Sequence, residues 1–478
     1  MNQSQKTNWG QFIPLVTVFF FWGFVAASND ILIPVFKKSF DLTQAQSQLV
    51  SFAYYIAYTV GAVIYMLISL LAKQDLIVKY GYKNSLSFGL ILSAIGTLFF
   101  IPAANTGSFP LMLAGLFTVG LGFSVQQTVA NPLAIALGSK STGSQRLTLA
   151  GGINNFGTTI GPLIVAYAIF GSAGDGDTNL SIEAVKIPYM ILGVAFLLVG
   201  IFLKFSKIPN HPEVEDEVVE GAHKDRTSAL KYPQLVLGML AIFLYVGVEV
   251  STVSNLPDYM QKELGFSITG VAPFVSLYWA SMMIGRWGGA AEAFGLDKSK
   301  TLVLKFIAPY LAFGVFLLVN YLAGHDLQPF YTYAAIILIM ILASIWTEGN
   351  PAKMLLTFAI IGIIALLIGM NTTGLVSIYA LTSVGLFCST LWPCIFALAI
   401  NGLGKNTSQG SSFLIMMIMG GGLVSIFQGF IADKTSIHLS YSVCIVCFVY
   451  LAFYAIAAKS ILKKQGIDLN NLEAGNGH

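Results

Sequence analysis

Charged residues are scarce in this sequence. Only 10% of its 478 residues are charged, whereas soluble domains carry about 25%. Hydrophobic residues make up 56% of the chain, and the mean hydropathy is +0.76. A chain with so little charge would not stay dispersed in water, which excludes a soluble globular domain. We therefore predict a membrane protein, with lipid as its solvent and partner.

Basic clusters and cysteine frameworks are also missing. The net charge is only +3 and the basic residues do not cluster, so no nucleic-acid partner is expected. All four cysteines lie inside apolar stretches; Cys444 and Cys447 have C-x-x-C spacing, but no second pair or histidine accompanies them. We predict neither a disulfide framework nor a metal site.

Catalytic motifs are absent from the sequence as well. It contains no catalytic triad and no phosphate-binding glycine loop, and the run Gly420-Gly421-Gly422 lies inside an apolar stretch, where it favours close helix packing. We therefore expect no enzymatic activity, no cofactor and no ATP-driven transport.

Long apolar runs dominate what the sequence does contain. A bilayer core about 30 Å thick requires about 20 apolar residues in a helix. Six such runs precede residue 207 and eight follow residue 233, which predicts an all-α protein with about 14 transmembrane helices. The runs lie at about 12–36, 47–71, 85–105, 109–137, 147–171, 186–206, 234–261, 268–294, 301–324, 330–347, 353–370, 374–403, 410–432 and 440–462. The first run is longer than a signal-peptide core, so we expect it to be retained as a helix.

A charged segment divides the runs into two groups. The predicted organisation is a six-helix bundle at 1–206, a cytoplasmic linker at 207–233, a second bundle at 234–462 and a cytoplasmic tail at 463–478. With the N terminus inside, all but five of the 25 Lys and Arg residues fall on the inner side. This asymmetry predicts a multi-pass protein with both termini cytoplasmic.

The two groups share an internal repeat. Residues 120–157 and 385–422 each contain a helix with a central proline, a loop of Gly, Lys, Ser and Thr, and a glycine-rich helix. Such parallel repeats are typical of transporters built from two related halves. The second half has two helices more than the first, and we assign the extra pair to about 330–370.

Ionisable residues at membrane depth require a reason, because each costs roughly 2.5–3.5 kcal/mol on insertion. Asp30 lies in the outer part of the first helix and Glu249 in the middle of the seventh. We interpret both as candidates for binding a proton or cation, with a helix-end or helix–helix role as the alternative. Arg286, near an inner helix end, is interpreted as structural.

Amides at membrane depth provide the strongest signal for a site. An unpaired amide in hydrocarbon is costly, so these side chains must face a cavity or each other. An uncharged polar cavity suits a neutral, polyhydroxylated solute, and aromatic rings can stack on sugar C–H faces. The predicted substrate-binding residues are Asn29, Gln126, Gln127, Asn131, Asn154, Asn155, Asn255, Tyr278, Trp279 and Trp392. For each aromatic the alternative is packing or an interface anchor.

Several stretches resemble one transporter family. The segments SNDILIPVFKKSFDLT, QQTVANPLAIALG, NNFGTTIGP, YVGVEVSTVSN, IGRWGG and LWPCIFALAINGLGKNTSQGSSFLIMMIMGGG are similar to the fucose–proton symporter branch of the major facilitator superfamily, especially its bacterial glucose/galactose transporters. The resemblance implies two six-helix bundles that rock about a midplane sugar site, to which this chain would add its extra pair. It also implies cation coupling, with the helix-one acid at Asp30 and the helix-five asparagine at Asn154.

The sequence departs from the family pattern at three places. The family's helix-four acid falls at Gln127, Glu249 stands where the fucose permease has a glutamine, and the loop between helices two and three retains only VKYGYK. These differences favour glucose or galactose over fucose. We therefore predict proton symport of a neutral hexose in a bacterial inner membrane, with Asp30 as the first coupling residue. The alternatives are a sodium-coupled hexose or fucose symporter and a sugar sensor that does not transport.

Overall fold

The N-terminal half of the computed structural model consists of long helices. The model describes residues 7–40, 44–170, 186–210, 228–262, 264–265, 268–467 and 469. The six long helices of this half are α1 (Trp9–Ser39), α2 (Gln44–Leu71), α3 (Tyr82–Thr106), α4 (Phe109–Ala136), α5 (Gly143–Phe170) and α6 (Lys186–Phe205). Glycine ends α3: Gly107 has a φ of 60°, a left-handed conformation that few other residues adopt.

Eight long helices form the C-terminal half. They are α7 (Pro233–Lys262), α8 (Ile268–Gly289), α9 (Lys298–Leu322), α10 (Tyr333–Trp346), α11 (Pro351–Asn371), α12 (Gly374–Ile400), α13 (Gly404–Lys434) and α14 (Ile437–Lys464). Local chemistry marks where they begin: the Asn350 side chain accepts hydrogen bonds from the backbone N–H groups of Ala352 and Lys353, and Pro351 occupies the first turn of α11. The described residues contain helices and no strand, which confirms the all-α fold.

Eleven helices of the described chain are long and apolar enough to cross a membrane. Helices α1, α5 and α8, which are 31, 28 and 22 residues long, complete the two halves. Apolar side chains such as Leu198 and Ile456 remain 60% exposed, as expected for helices that face lipid. The chain is therefore a multi-pass membrane protein; the count of fourteen crossings stays a prediction.

Helix packing relates the second half to the first. In the first half, α3 packs against both α4 and α6; in the second, α11 packs in the same way against α12 and α14. Helix α9 packs mainly on α8 and α10. This packing favours α9 and α10, residues 298–346, as the added pair, one helix earlier than our assignment at about 330–370. The sequence alone could not distinguish these two assignments. A pair of helices inserted at either position returns the chain to the same side of the membrane, so the direction of the later helices is the same.

The two halves meet near one end of the bundle, which we name the linker face. Both ends of the linker between the two halves, Asn210 and Ala229, lie at this face. The backbone N–H of Tyr82 donates to the Asn210 carbonyl, and the backbone N–H of Ala229 donates to the Gln409 side chain. Trp9 packs against Phe294 of the other half with ring centroids 5.2 Å apart. Hydrogen bonds between the halves join α2, α4 and α5 to α8, α13 and the α10–α11 loop. They include Gln145–Gly349, Trp287–Gly152, Ser411–Thr128, Ser412–Ala62 and Thr59–Met416.

Candidate functional site

Arg286 on α8 takes part in the contact between the halves. Its side chain is only 8% exposed. The guanidinium donates from Nη1 to Asn155 Oδ1 at 2.6 Å and to the Gly151 carbonyl at 3.2 Å, and from Nε to the Ser389 carbonyl at 2.8 Å. Two of these acceptors belong to α5 in the opposite half. Asn155 is twelve residues beyond the start of α5, about 18 Å along the helix, whereas Arg286 is three residues from the end of α8. The contact therefore lies on the inner side of the middle of the bundle, towards the linker face.

Glycine makes the approach of the guanidinium possible. A Cβ at Gly151 would lie 3.0 Å from Arg286 Nη1, and one at Gly152 would lie 2.9 Å from the Trp287 ring. On the other side of α8, a Cβ at Gly285 would lie 2.0 Å from Ser389 Oγ. These glycines let α8 pack closely between α5 and α12.

Glu249 lies on α7, which packs against α8, the helix that carries Arg286. The Glu249 side chain is half-buried, whereas Tyr245 to Val248 are buried. Tyr278 Oη donates to the Glu249 backbone carbonyl at 2.8 Å, which fixes α8 against α7 beside the carboxylate. Tyr245, one turn before Glu249, is completely buried, and its hydroxyl interacts with the Glu249 carboxyl group.

A second polar group lies in the N-terminal half. Gln127 Nε2 donates to Tyr58 Oη at 3.2 Å, and Tyr58 Oη donates to Tyr54 Oη at 3.1 Å. Gln127 is half-buried. Asn131 lies one turn further along α4, is 2% exposed, and has an Nδ2 group with no hydrogen-bond partner.

Three of the predicted site amides form hydrogen bonds inside one half. Gln126 accepts from Trp22 Nε1 at 2.9 Å and donates to Ser93 at 3.1 Å. Asn154 donates to the Phe19 carbonyl at 2.9 Å, and Asn255 donates to Gln428 at 3.0 Å and to the Ser251 carbonyl at 3.1 Å. These amides tie helices together, and their role in binding a sugar stays a prediction.

The predicted aromatic residues lie around Glu249 and Tyr245. Tyr278 is fully buried, and Trp279 packs edge-on against it with centroids 5.6 Å apart. Trp392 is half-buried and its ring centroid lies 6.2 Å from that of Tyr245. Asn29 and Asp30 lie within α1, but their side chains fall outside the described residues, so both remain predictions.

Sequence reasoning missed one residue of this site and gave another only a structural role. Tyr245 could have been found, because it precedes Glu249 by four residues and therefore shares its helix face. Arg286 was interpreted as structural, yet two of its hydrogen bonds join the halves. Among the described residues, no group of three His, Cys, Asp or Glu side chains could hold a metal ion.

A helical bundle in two related halves, joined by polar contacts at membrane depth, is the architecture of a membrane carrier. Residues 15–349 match the Major Facilitator Superfamily, and the chain belongs to this superfamily. The predicted resemblance to its fucose–proton symporter and glucose/galactose transporter branch is confirmed by individual relatives.

The chain is 34% identical to the glucose/galactose transporter of Brucella abortus biovar 1 (strain 9-941) over 455 residues, which cover 95% of both chains. It is 29% identical to the L-fucose-proton symporter of Escherichia coli K12 over 466 residues, covering 93% of this chain and 92% of the symporter. The crystal structure of the transporter FucP in the outward conformation superimposes with a TM-score of 0.70 and 26% identity, covering 94% and 98% of the two chains.

Proposed function

We propose that this protein imports a neutral hexose, glucose or galactose, by proton symport. The observation that carries the proposal is the 34% identity, over 95% of both chains, to a glucose/galactose transporter. The uncharged polar groups Gln127, Tyr58, Asn131 and Tyr245 support it, since hexose hydroxyls require both donors and acceptors. Kinship with an L-fucose-proton symporter supports coupling to protons.

Alternating access is the mechanism that we propose. The hydrogen bonds between the halves join them near the linker face, and we place this face in the cytoplasm of a bacterial inner membrane on the distribution of basic residues. A carrier closed on that side would receive its sugar from outside. Similarity to FucP in the outward conformation supports this assignment. Import would then require the linker-face contacts to break after loading.

Two carboxylates are proposed for proton coupling. Glu249 is half-buried among buried neighbours, and Asp30 is the acid that the family resemblance assigns. One elementary charge that crosses 100 mV releases about 2.3 kcal/mol, enough for a gradient of roughly fifty-fold. A single titrating carboxylate could therefore drive accumulation.

The test is uptake of labelled glucose and galactose by the purified protein in sodium-free proteoliposomes with an imposed inward proton gradient. We expect accumulation that an uncoupler abolishes. Glu249→Gln and Asp30→Asn should each be assayed for accumulation and for sugar exchange without a gradient. A coupling residue should lose accumulation and retain exchange.

Accumulation that requires sodium would replace proton coupling by sodium coupling. Transport of fucose in preference to both hexoses would overturn the substrate assignment. Sugar binding with neither uptake nor exchange would indicate a sensor and refute the transport proposal.

A further inference from the structure

The Arg286 guanidinium is a buried charge held by neutral acceptors. Its hydrogen-bond partners are the Asn155 side chain and the carbonyls of Gly151 and Ser389. Among the described residues it forms no ion pair. A buried charge without a paired counter-charge depends strongly on each remaining interaction. The bonds to α5 therefore stabilise both the guanidinium and the closed contact between the halves.

Glu249 lies on α7, which packs against the helix that carries Arg286, and Tyr278 of that helix donates to the Glu249 backbone carbonyl at 2.8 Å. From this position the charge of Glu249 acts on the guanidinium. Among the described residues, the other titratable groups that interact with Glu249 are Tyr245 on its own helix, Tyr278 on α8 and Cys388 on α12. Cys444 on α14 interacts with Tyr278 and Cys388. Helix α13 carries its titratable groups, Lys405, Asp433 and Lys434, at its two ends. Arg286 is thus the cation on which a change in the charge of Glu249 would act.

Building on the proposed function, we propose that Arg286 is a positioning residue that links the charge of Glu249 to the closure of the linker face. While Glu249 is charged, its carboxylate provides part of the stabilisation of the guanidinium. When Glu249 takes up a proton from the far side of the membrane, that contribution disappears and the guanidinium depends more on Asn155 and Gly151. Proton binding would therefore hold the linker face closed.

This arrangement would prevent a proton from crossing without sugar. A carrier loaded with a proton alone would stay closed at the linker face, because the bond from Arg286 to Asn155 is then strongest. A hexose hydroxyl can also accept a hydrogen bond from the guanidinium. Bound sugar would replace Asn155 as the acceptor and release the two halves from each other.

The experiment measures the distance across the linker face by pulsed electron paramagnetic resonance, without sugar or a gradient. Spin labels would be attached at Gln74→Cys in the N-terminal half and Ser299→Cys in the C-terminal half, which are both exposed. The four native cysteines are buried, which limits unwanted labelling. The readout is the ratio of closed to open linker-face populations.

Asn155→Ala should lower the closed-to-open ratio roughly tenfold, because it removes a hydrogen bond to a charged group. Asn155→Asp should raise the ratio, because a carboxylate would pair with Arg286. A general disturbance of packing would not produce opposite signs. The matched control is Thr158→Val, one turn away on the same helix, whose side-chain hydrogen bond stays within α5. It should leave the ratio unchanged.

Glu249→Gln tests the coupling itself. It should raise the closed-to-open ratio when Asn155 is present and have little effect in the Asn155→Ala background. An equal effect of Glu249→Gln in both backgrounds would overturn the proposal, and so would opening of the linker face by Asn155→Asp. Since no sugar is used, failure of the hexose assignment would leave this measurement unaffected.

Discussion

The ion pair between Lys305 and Glu292 connects helix α9 to the segment that follows α8. Lys305 lies on α9, and its side chain is 7% exposed; Glu292 follows α8 and its side chain is 21% exposed. The second carboxylate oxygen of Glu292 is buried without a hydrogen-bond partner. Lys305→Met would leave this carboxylate without its cation, and removing one partner of a buried pair costs about 3–5 kcal/mol. We take the lower value, because Glu292 is partly exposed.

The assay is thermal unfolding in detergent, followed with a thiol-reactive dye, because all four cysteines are buried in the folded protein. A loss of about 3 kcal/mol corresponds to a fall in melting temperature of about 3 °C for a chain of this length that unfolds as one unit. The control is Lys300→Met on the same helix, since the pair of Lys300 with Asp297 has side chains 72% and 55% exposed. This control should cause no measurable shift.

The double variant Lys305→Met, Glu292→Gln separates the pair from the packing around it. Without either charge, most of the lost stability should return. If Lys305→Met proved as harmless as Lys300→Met, or if the costs of the two single substitutions simply added, the ion pair would not be the cause and the reasoning would be refuted.

Three further predictions concern packing, an amide and pH. Gly23→Ala should abolish the folded yield, because its Cβ would lie 1.9 Å from the α5 backbone, while Gly314→Ala, with no atom within 4 Å, should be tolerated; fluorescence-detected size exclusion compares them. Gln126→Met should lower the melting temperature by breaking two buried hydrogen bonds, and an unchanged melting temperature would contradict its structural role. Hydrogen bonds from the backbone N–H and ammonium of Lys300 lower the pKa of Asp297. The carboxylate therefore stabilises the start of α9 above about pH 4, and the hydrogen-exchange protection there, corrected for the intrinsic pH dependence of exchange, should fall as the pH drops below this, except in Asp297→Ala.

Helix positions could be predicted from the sequence because apolar length and turn residues determine them locally. The predicted run at 109–137 and the helix Phe109–Ala136 differ by one residue. The identity of the added pair could not be predicted in this way. Either α9 with α10 or α10 with α11 preserves the direction of every later helix. Only the partners of α11 distinguish the two, and these lie far away in the sequence.

The amides at membrane depth show which features of the site the sequence can predict and which it cannot. Burial in hydrocarbon requires Gln126 and Gln127 to have partners, and both do. One forms two helix–helix hydrogen bonds, whereas the other, half-buried, contacts the Tyr58 hydroxyl. Adjacent residues on a helix point about 100° apart, so they meet different surroundings. The sequence identifies residues that need a polar partner but not which partner is a ligand.

Arg286 reveals a further limit, because its partners belong to one conformation of the protein. Asn155 and Gly151 are 131 and 135 residues away in the sequence, and a carrier that alternates must lose these contacts in every cycle. Neutral acceptors suit a contact of this kind: three hydrogen bonds position the guanidinium, while a carboxylate in place of Asn155 would make separation of the halves more costly. The asparagine at position 155 is therefore better explained by a contact that must open than by stability alone. This is why the opposite effects expected for Asn155→Ala and Asn155→Asp provide the sharpest test of how the two halves are coupled.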